Sequence, residues 1–337
     1  MTVSAAAPRP SQRRWRSGKS LVLVLITLLL AGGAIGAACE PLAVHRALVR
    51  RNAARAGLVE RQLQLAAGRL HFYEGGHRGA KGEESPVLLI HGFGAAALET
   101  WERQIPMLAE HHWVIAPDLF WFGESTPDRT VDSAAEQADA LAELLGRLGG
   151  ARAAVVGISY GGYVALELAL RHPEQVGRLV LVDAAGLTPT SEERARIVAR
   201  FAPARSLEEI LMPVDEGQLR ALLDRLIYRP RYVPGFFLRH MLREDFEKNK
   251  TAKIRICRRL DEGGMLDEAA LRGLAMPALL IWGRHDPLVL PSMGERMVRA
   301  IPHARLVWFE ESAHVPTAEE PHRFNRELLG FLALAGR

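Results

Sequence analysis

Three residues of this chain have the types that nucleophilic catalysis needs, and each stands where a strand pattern ends. Ser159 lies in Val155-Val156-Gly157-Ile158-Ser159-Tyr160-Gly161-Gly162-Tyr163-Val164, with glycines two before and two after it. Ala153 to Ile158 reads as a short buried strand, and Tyr163 to Arg171 carries apolar residues at helical spacing until His172-Pro173. A serine on such a strand-to-helix turn is exposed at the strand tip, above a helix N-terminus that favours developing negative charge. Its hydroxyl needs a base, and the base needs an orienting acid. Asp286, in LLIWGRHDPLV, and His314, in RLVWFEESAHVP, each follow a late apolar strand and supply those types. Asp118 and Asp183 also follow strands; Asp183 is the rival acid, and its structural reading is a turn-capping carboxylate.

An acyl transfer also needs donors for the oxyanion that forms. LLIHGFG, Leu88 to Gly94, ends a strand in small residues that let backbone approach a carbonyl. The backbone N–H groups of Phe93 and Tyr160 are the expected donors. His91 is expected to hold this loop by hydrogen bonds. No metal enters: the two cysteines, Cys39 and Cys257, are far apart and make neither a disulfide framework nor a metal site.

These residues must be positioned by elements that the apolar pattern locates. Gln62–Leu65 and Leu70–Tyr73 read as a leading antiparallel pair. Strands then follow at Val87–Ile90, Trp113–Ala116, Ala153–Ile158, Leu179–Val182, Ala278–Trp282 and Arg305–Phe309. Short continuous apolar strands alternating with helices imply a mostly parallel sheet covered on both faces. From Gly186 to Gly264 only helical segments appear, which predicts a cap over the sheet's C-terminal edge. One helix is expected over Pro213–Tyr228, opened by Asp215 with Gln218 three residues later, and another through Phe236, Phe237, Met241, Leu242 and Phe246. Trp101, Met212, Phe236 and Phe237 are expected to wall the substrate pocket. The domain boundaries that follow are a basic tail 1–20, an apolar segment 21–38, a linker 39–60, a core 61–185, the helical cap 186–264 and a second core segment 265–337.

The 337 residues carry a net charge of +4, distributed unevenly. Nine Lys and Arg against Glu40 give residues 1–57 a charge of +8, leaving −4 for the rest, so a nucleic-acid partner loses its main support. Leu21–Ala38 is eighteen residues without a charge, about 27 Å as a helix against a hydrocarbon core of ~30 Å. It reads as a single membrane anchor, with a cleaved or lipidated signal and an Arg-rich transit peptide as the alternatives. Five basic residues before it and four after it give a slight bias to a cytosolic N-terminus. The expectation is a bacterial inner-membrane anchor with the catalytic domain on the periplasmic side.

From about Gln62 onward the chain resembles the α/β-hydrolase superfamily. HGFG, APDLFWFGES, VVGISYGGYVAL, IWGRHDPLV and SAHVPTAEEPHRFN stand in the order of its landmarks. The basic stub, single span and helical cap resemble the membrane-bound monoacylglycerol lipase and esterase branch. Phe120-Trp121 stand where relatives usually have Pro-Gly, Ala313 where they have Gly, and Tyr160 where many have Met. The resemblance implies an α/β-hydrolase fold with a mostly parallel sheet, helices on both faces and an all-helical cap insertion. It also implies a Ser159–His314–Asp286 triad that needs no cofactor. The expected activity is hydrolysis of carboxylic esters, with monoacylglycerol or similar lipid esters as substrates and the membrane as a partner. The alternatives are a C–C bond hydrolase of ring-cleavage products and a slow-turnover ligand-sensing protein.

Overall fold

The computed structural model describes residues 41–78, 85–149, 152–263 and 265–333. The basic tail and the apolar run Leu21–Ala38 lie outside the described residues. Among the described residues no helix is long and apolar enough to cross a membrane. The chain divides into two compact units, Met1–Val44 and His45–Arg337. In the first, only the start of the helix Pro41–Arg55 is described.

The larger unit is built on nine strands among its described residues. They are β1 Leu58–Leu65, β2 Gly68–Gly76, β3 Val87–Ile90, β4 Trp113–Pro117, β5 Thr126–Pro127, β6 Ala153–Ile158, β7 Val176–Val182, β8 Ala278–Gly283 and β9 Ala304–Phe309. Their order is β1-β2-β4-β3-β6-β7-β8-β9, with β5 paired to β2. β1, β2 and β4 pair antiparallel, and every pairing from β4 to β9 is parallel. The two-residue β5 has no apolar run of its own and gave no strand signal in the sequence.

Strand alternation divides the core into two layers. Leu88, Ile90, Val155, Leu179, Leu181 and Leu280 face one layer with Val164, Leu168 and Leu141 of the helices Tyr160–Arg171 and Ala134–Arg147. Val87, Leu89, Val156, Val180, Leu279 and Ile281 face the other with Trp101, Ile105, Phe324 and Leu328. Both faces are therefore dry, which is why these strands read as unbroken apolar runs rather than alternating ones.

The strand order reverses between β3 and β6. From β3 the chain moves outward to β4, then returns to place β6 on β3's other side. The C-terminal ends of two strands that diverge in this way leave a crevice, the usual ligand site of open α/β sheets. HGFG leaves β3 and Ser159 leaves β6, so both flank it.

Between β7 and β8 runs an all-helical insertion. Its segments are Ser191–Arg200, Leu207–Leu211, Glu216–Leu226, Gly235–Met241 and Lys250–Asp261, with a π-helical turn at Leu242–Glu247. Asp215 caps Glu216–Leu226 by accepting the Gln218 N–H at 2.8 Å. The helix is shorter than Pro213–Tyr228 because its hydrogen bonding starts at that cap. The insertion's ends meet: Leu266 N–H donates to the Gly186 carbonyl at 2.7 Å, and Thr188 N–H to that of Leu266 at 2.8 Å. Met212, Leu219, Leu238, Leu242, Phe246 and Cys257 form its own small core.

From His45 on, the stretch expected as a linker is part of the larger unit. Pro41–Arg55 is a helix, and β1 begins at Leu58. Arg46 supplies one reason: it donates to Glu99 Oε1 and to Asp245 Oδ1, fixing this stretch to the core helix Ala97–Trp101 and to the insertion.

Candidate active site

Ser159 caps the helix Tyr160–Arg171 with φ 53° and ψ −120°, a left-handed φ that only a tightly determined turn imposes on serine. Its N–H donates to the Val182 carbonyl of β7 at 2.9 Å, and its own carbonyl accepts from Gly162 and Ala185 at 2.9 and 3.0 Å. The flanking glycines leave no room for anything larger. A Cβ on Gly157 would lie 2.2 Å from the Gly161 carbonyl oxygen, and one on Gly161 2.3 Å from that of His91. The sequence Gly-Ile-Ser-Tyr-Gly is thus what lets strand, turn and helix close around an accessible hydroxyl.

The loops after β8 and β9 bring Asp286 and His314 to that hydroxyl. His314 Nε2 lies 3.0 Å from Ser159 Oγ, and its Nδ1 lies 2.7 Å from Asp286 Oδ2. Asp286 is fully buried, and its Oδ1 accepts the Leu288 and Val289 N–H groups at 2.8 and 3.0 Å. With Nδ1–H donated to this carboxylate, Nε2 is left to accept a proton from the serine. Such a chain can turn a hydroxyl into a nucleophile and return its proton to a leaving group. His285 is directed elsewhere, stacked on Tyr228 with ring centroids 4.2 Å apart.

The other carboxylates and histidines near the strand ends are used by the scaffold. Asp183 directly follows β7 with φ 40°; its Oδ1 accepts the Gly283 N–H at 2.8 Å, and its Oδ2 is buried. Burial first, then the neighbouring Asp286 carboxylate, raise Asp183 well above the usual carboxylate range. His91 Nε2 accepts the Leu119 N–H at 2.9 Å, which ties the loop after β3 to the loop after β4, and burial pushes its pKa down. Asp118 accepts from Ala97 N–H at 2.8 Å and Glu124 N–H at 3.1 Å and pairs with His71 at 2.8 Å. Burial is the largest single influence and opposes its charge, but the His71 hydrogen bond, the His91 and His71 rings and the Ala97 amide together outweigh it and hold its pKa below the usual value.

Phe93 and Tyr160 bracket the serine from the β3 loop and the first helical turn, their rings 6.3 Å apart in an edge-on contact. The Tyr160 N–H opens its helix and has no carbonyl four residues back to bond. Among the described residues no acceptor takes the Phe93 N–H. Two backbone donors beside a nucleophile are suited to a developing oxyanion.

A cavity with about 780 Å³ of free space, its open mouth included, begins at Ser159, Phe93 and Tyr160. Ile197, Leu207 and Leu211 of the insertion and Leu288, Val289 and Met293 of the core form its apolar walls. The residues expected there lie elsewhere, which corrects the sequence reading. Trp101 is buried in the opposite core layer against Phe324, with ring centroids 6.4 Å apart. Met212 belongs to the insertion's own core, Phe236 is 54% exposed, and Phe237 is half-buried without lining this cavity. The signal for the true wall was available in part: Leu288 and Val289 lie two and three residues after Asp286, so the loop that aims the acid must also face the serine. Among the described residues no group of three or more His, Cys, Asp and Glu is placed to hold a metal ion.

Comparison with known proteins agrees with this architecture. Residues 85–321 match the family described as the alpha/beta hydrolase fold. A 2-hydroxymuconate semialdehyde hydrolase from Pseudomonas sp. (strain CF600) is 32% identical, covering 74% of this chain and 87% of its own. Lipase 1 of Psychrobacter immobilis is 30% identical, covering 77% of this chain and 79% of its own. The crystal structure of a membrane phospholipase A, a bacterial virulence factor, superposes with a TM-score of 0.76 at 27% identity, covering 93% of this chain and 98% of its own. A chain with this sheet, this turn after β6 and this family match belongs to the α/β-hydrolase superfamily and is a hydrolase of that fold.

Proposed function

We propose that this hydrolase cleaves carboxylic esters through an acyl-serine intermediate, and that its substrates are monoacylglycerols or similar lipid esters with one acyl chain. The observation that carries the reading is the bonded path Asp286–His314–Ser159, which opens into an apolar cavity. In this reading Ser159 Oγ attacks the ester carbonyl carbon while His314 Nε2 takes its proton. The carbonyl oxygen becomes an oxyanion facing the Phe93 and Tyr160 amides. His314 passes the proton to the departing alcohol as the carbon–oxygen bond breaks, leaving the acyl-serine. A water molecule, deprotonated by the same nitrogen, attacks that acyl carbon, releases the acid and restores the serine hydroxyl. Asp286 keeps the imidazole in the tautomer that each step needs.

A single acyl chain suits walls formed by Ile197, Leu207, Leu211, Leu288 and Met293. The uncharged run Leu21–Ala38 would hold the enzyme at a bilayer, with the catalytic domain on the periplasmic side of a bacterial inner membrane. The Psychrobacter lipase and the membrane phospholipase A support a lipid substrate.

Two observations favour a second reading, hydrolysis of a C–C bond in a ring-cleavage product. They are the likeness to the 2-hydroxymuconate semialdehyde hydrolase and the presence of Arg194 and Arg205 on the cavity wall, where a carboxylate could pair. Arg194 is engaged with Asp261 at 2.9 Å. Detergent-solubilised protein assayed on monoacylglycerols, on short-chain esters and on a ring-cleavage dienoate separates the readings. Turnover of monoacylglycerol is expected to exceed that of the dienoate; the reverse order would overturn the ester assignment, and slow turnover of all three would point to a ligand sensor.

A further inference from the structure

The loop carrying His314 is held from outside the sheet, and this inference rests on His314 acting as the base. Glu319 Oε1 accepts the Ala313 N–H at 2.9 Å and the Val315 N–H at 3.2 Å, the two amides that flank the histidine. Its Oε2 accepts the Tyr228 N–H at 2.6 Å. The amide of His314 itself donates to the Leu226 carbonyl at 2.9 Å. Leu226 ends the insertion helix Glu216–Leu226, and Tyr228 follows two residues later. Three successive amides of the base's loop therefore end on Glu319 or on the insertion, and Glu319 grips both parties. On the sheet side the loop passes so close to β8 that a Cβ on Gly283 would meet the Ala313 carbonyl, so the loop has little freedom to settle elsewhere.

We propose that Glu319 is a positioning residue that keys His314 to the seated cap: the imidazole is aligned on Ser159 only while the segment Leu226–Tyr228 is docked on the histidine loop. A cap lifted to admit or release lipid would withdraw two of the four bonds just described, those from His314 N–H and from Tyr228 N–H. Proton transfer, both to the departing alcohol and from the water that releases the acid, is then confined to the closed state. Glu319 touches neither Ser159 nor the reacting atoms; it acts through the backbone of its neighbours.

The test uses the full chain and two kinds of variant. Tyr228→Pro removes the donated N–H, and Ile227, at φ −114° and ψ 128°, already has the backbone that a following proline requires. Tyr228→Ala is its matched comparison, because it keeps the amide and loses the same ring. Glu319→Gln keeps the side chain's shape but sets an N–H₂ group among three N–H donors. Active serines are titrated to completion with a fluorophosphonate, and kcat and KM on a water-soluble ester are measured well below each variant's Tm. The expectation is a kcat per titrated serine roughly 10- to 100-fold lower for Glu319→Gln, the scale of a ~1 Å misplacement, with KM within about threefold of wild type. Tyr228→Pro is expected to fall at least tenfold below Tyr228→Ala on the same scale. A merely structural Glu319 would lower Tm and the number of titratable sites while leaving kcat per site unchanged, and that result overturns the proposal. Equal kcat for Tyr228→Pro and Tyr228→Ala overturns it too. A wild type that takes up no fluorophosphonate overturns instead the serine mechanism beneath it.

Discussion

Replacing Asp286 by Asn exchanges one oxygen for a nitrogen, and the bonds already made to that carboxyl decide which way the new amide points. Oδ1 accepts two backbone N–H groups, from Leu288 and Val289. The amide carbonyl must stay there, so the N–H₂ group is turned onto His314 Nδ1, now 2.7 Å from Oδ2. Two donors cannot share that contact. The imidazole responds by moving its proton to Nε2, which then donates to Ser159 Oγ, 3.0 Å away, and can no longer take the serine's proton. Loss of the correct tautomer costs about 10⁴-fold in kcat, or roughly 5.4 kcal/mol at ~1.36 kcal/mol per tenfold. Asp183→Asn is the matched control. Burial and the Asp286 carboxylate already disfavour a charge on Asp183, and an amide oxygen can still accept the Gly283 N–H, so its loss should stay within about tenfold. The assay is kcat on a water-soluble short-chain ester at neutral pH, normalised to folded protein. An inactive Asp183→Asn beside a nearly normal Asp286→Asn would refute the reasoning, because the acid would then be Asp183.

Four further outcomes follow from the same geometry. A fluorophosphonate should label the protein once, on Ser159, and Ser159→Ala should abolish both the label and ester turnover; a label elsewhere with loss of activity would move the nucleophile. Each methylene added to the acyl chain contributes at most about 0.8 kcal/mol of burial, so kcat/KM should climb severalfold per methylene until the cavity ends, and a preference for acetyl esters would leave only a general esterase. Burial pushes Asp245, beside Arg46, up to about 6 in the folded chain, so the folded state binds the extra proton and stability relative to Asp245→Asn should fall as pH rises from about 4 to 7. Urea unfolding of both proteins across that range should show the difference growing by about 2–3 kcal/mol; a constant difference would mean that the carboxylate is solvated. Removing residues 1–40 should spare turnover of a soluble ester and slow turnover of lipid in vesicles, whereas removing residues 1–60 also deletes Arg46 and the start of β1 and should lower Tm. Equal Tm values for the two truncations would sink the structural role given to Pro41–Arg55.

The sheet was legible because its parallel strands are buried on both faces, so each appears in the sequence as an unbroken apolar run. The positions of Ser159, Asp286 and His314 were legible for a related reason: each directly follows such a run, and a parallel sheet carries the ends of its strands to one edge. The cavity wall was not legible in this way. Which stripe of an insertion helix faces the serine depends on how the insertion is docked, and that docking is set by contacts between residues far apart in sequence. His314 N–H meets Leu226, Tyr228 N–H meets Glu319, and Arg46 reaches Asp245 across 199 positions. Local apolarity at Phe236 and Phe237 could not report any of these contacts. Trp101 misled for another reason, since its place one layer away from the cavity follows from which face its short helix covers. The clearest case is Trp121, where relatives usually carry Gly. Its φ is 74°, the left-handed conformation that glycine adopts freely and that costs an L-residue roughly 1–2 kcal/mol. The chain keeps the turn and adds bonds that glycine could not all supply. The indole N–H donates to the Val131 carbonyl at 2.6 Å, while the Trp121 carbonyl accepts from Asn249 of the insertion at 3.1 Å. The departure from the family pattern therefore marks a further point where insertion and core are fastened together. The strain is offset by packing that only the three-dimensional arrangement reveals.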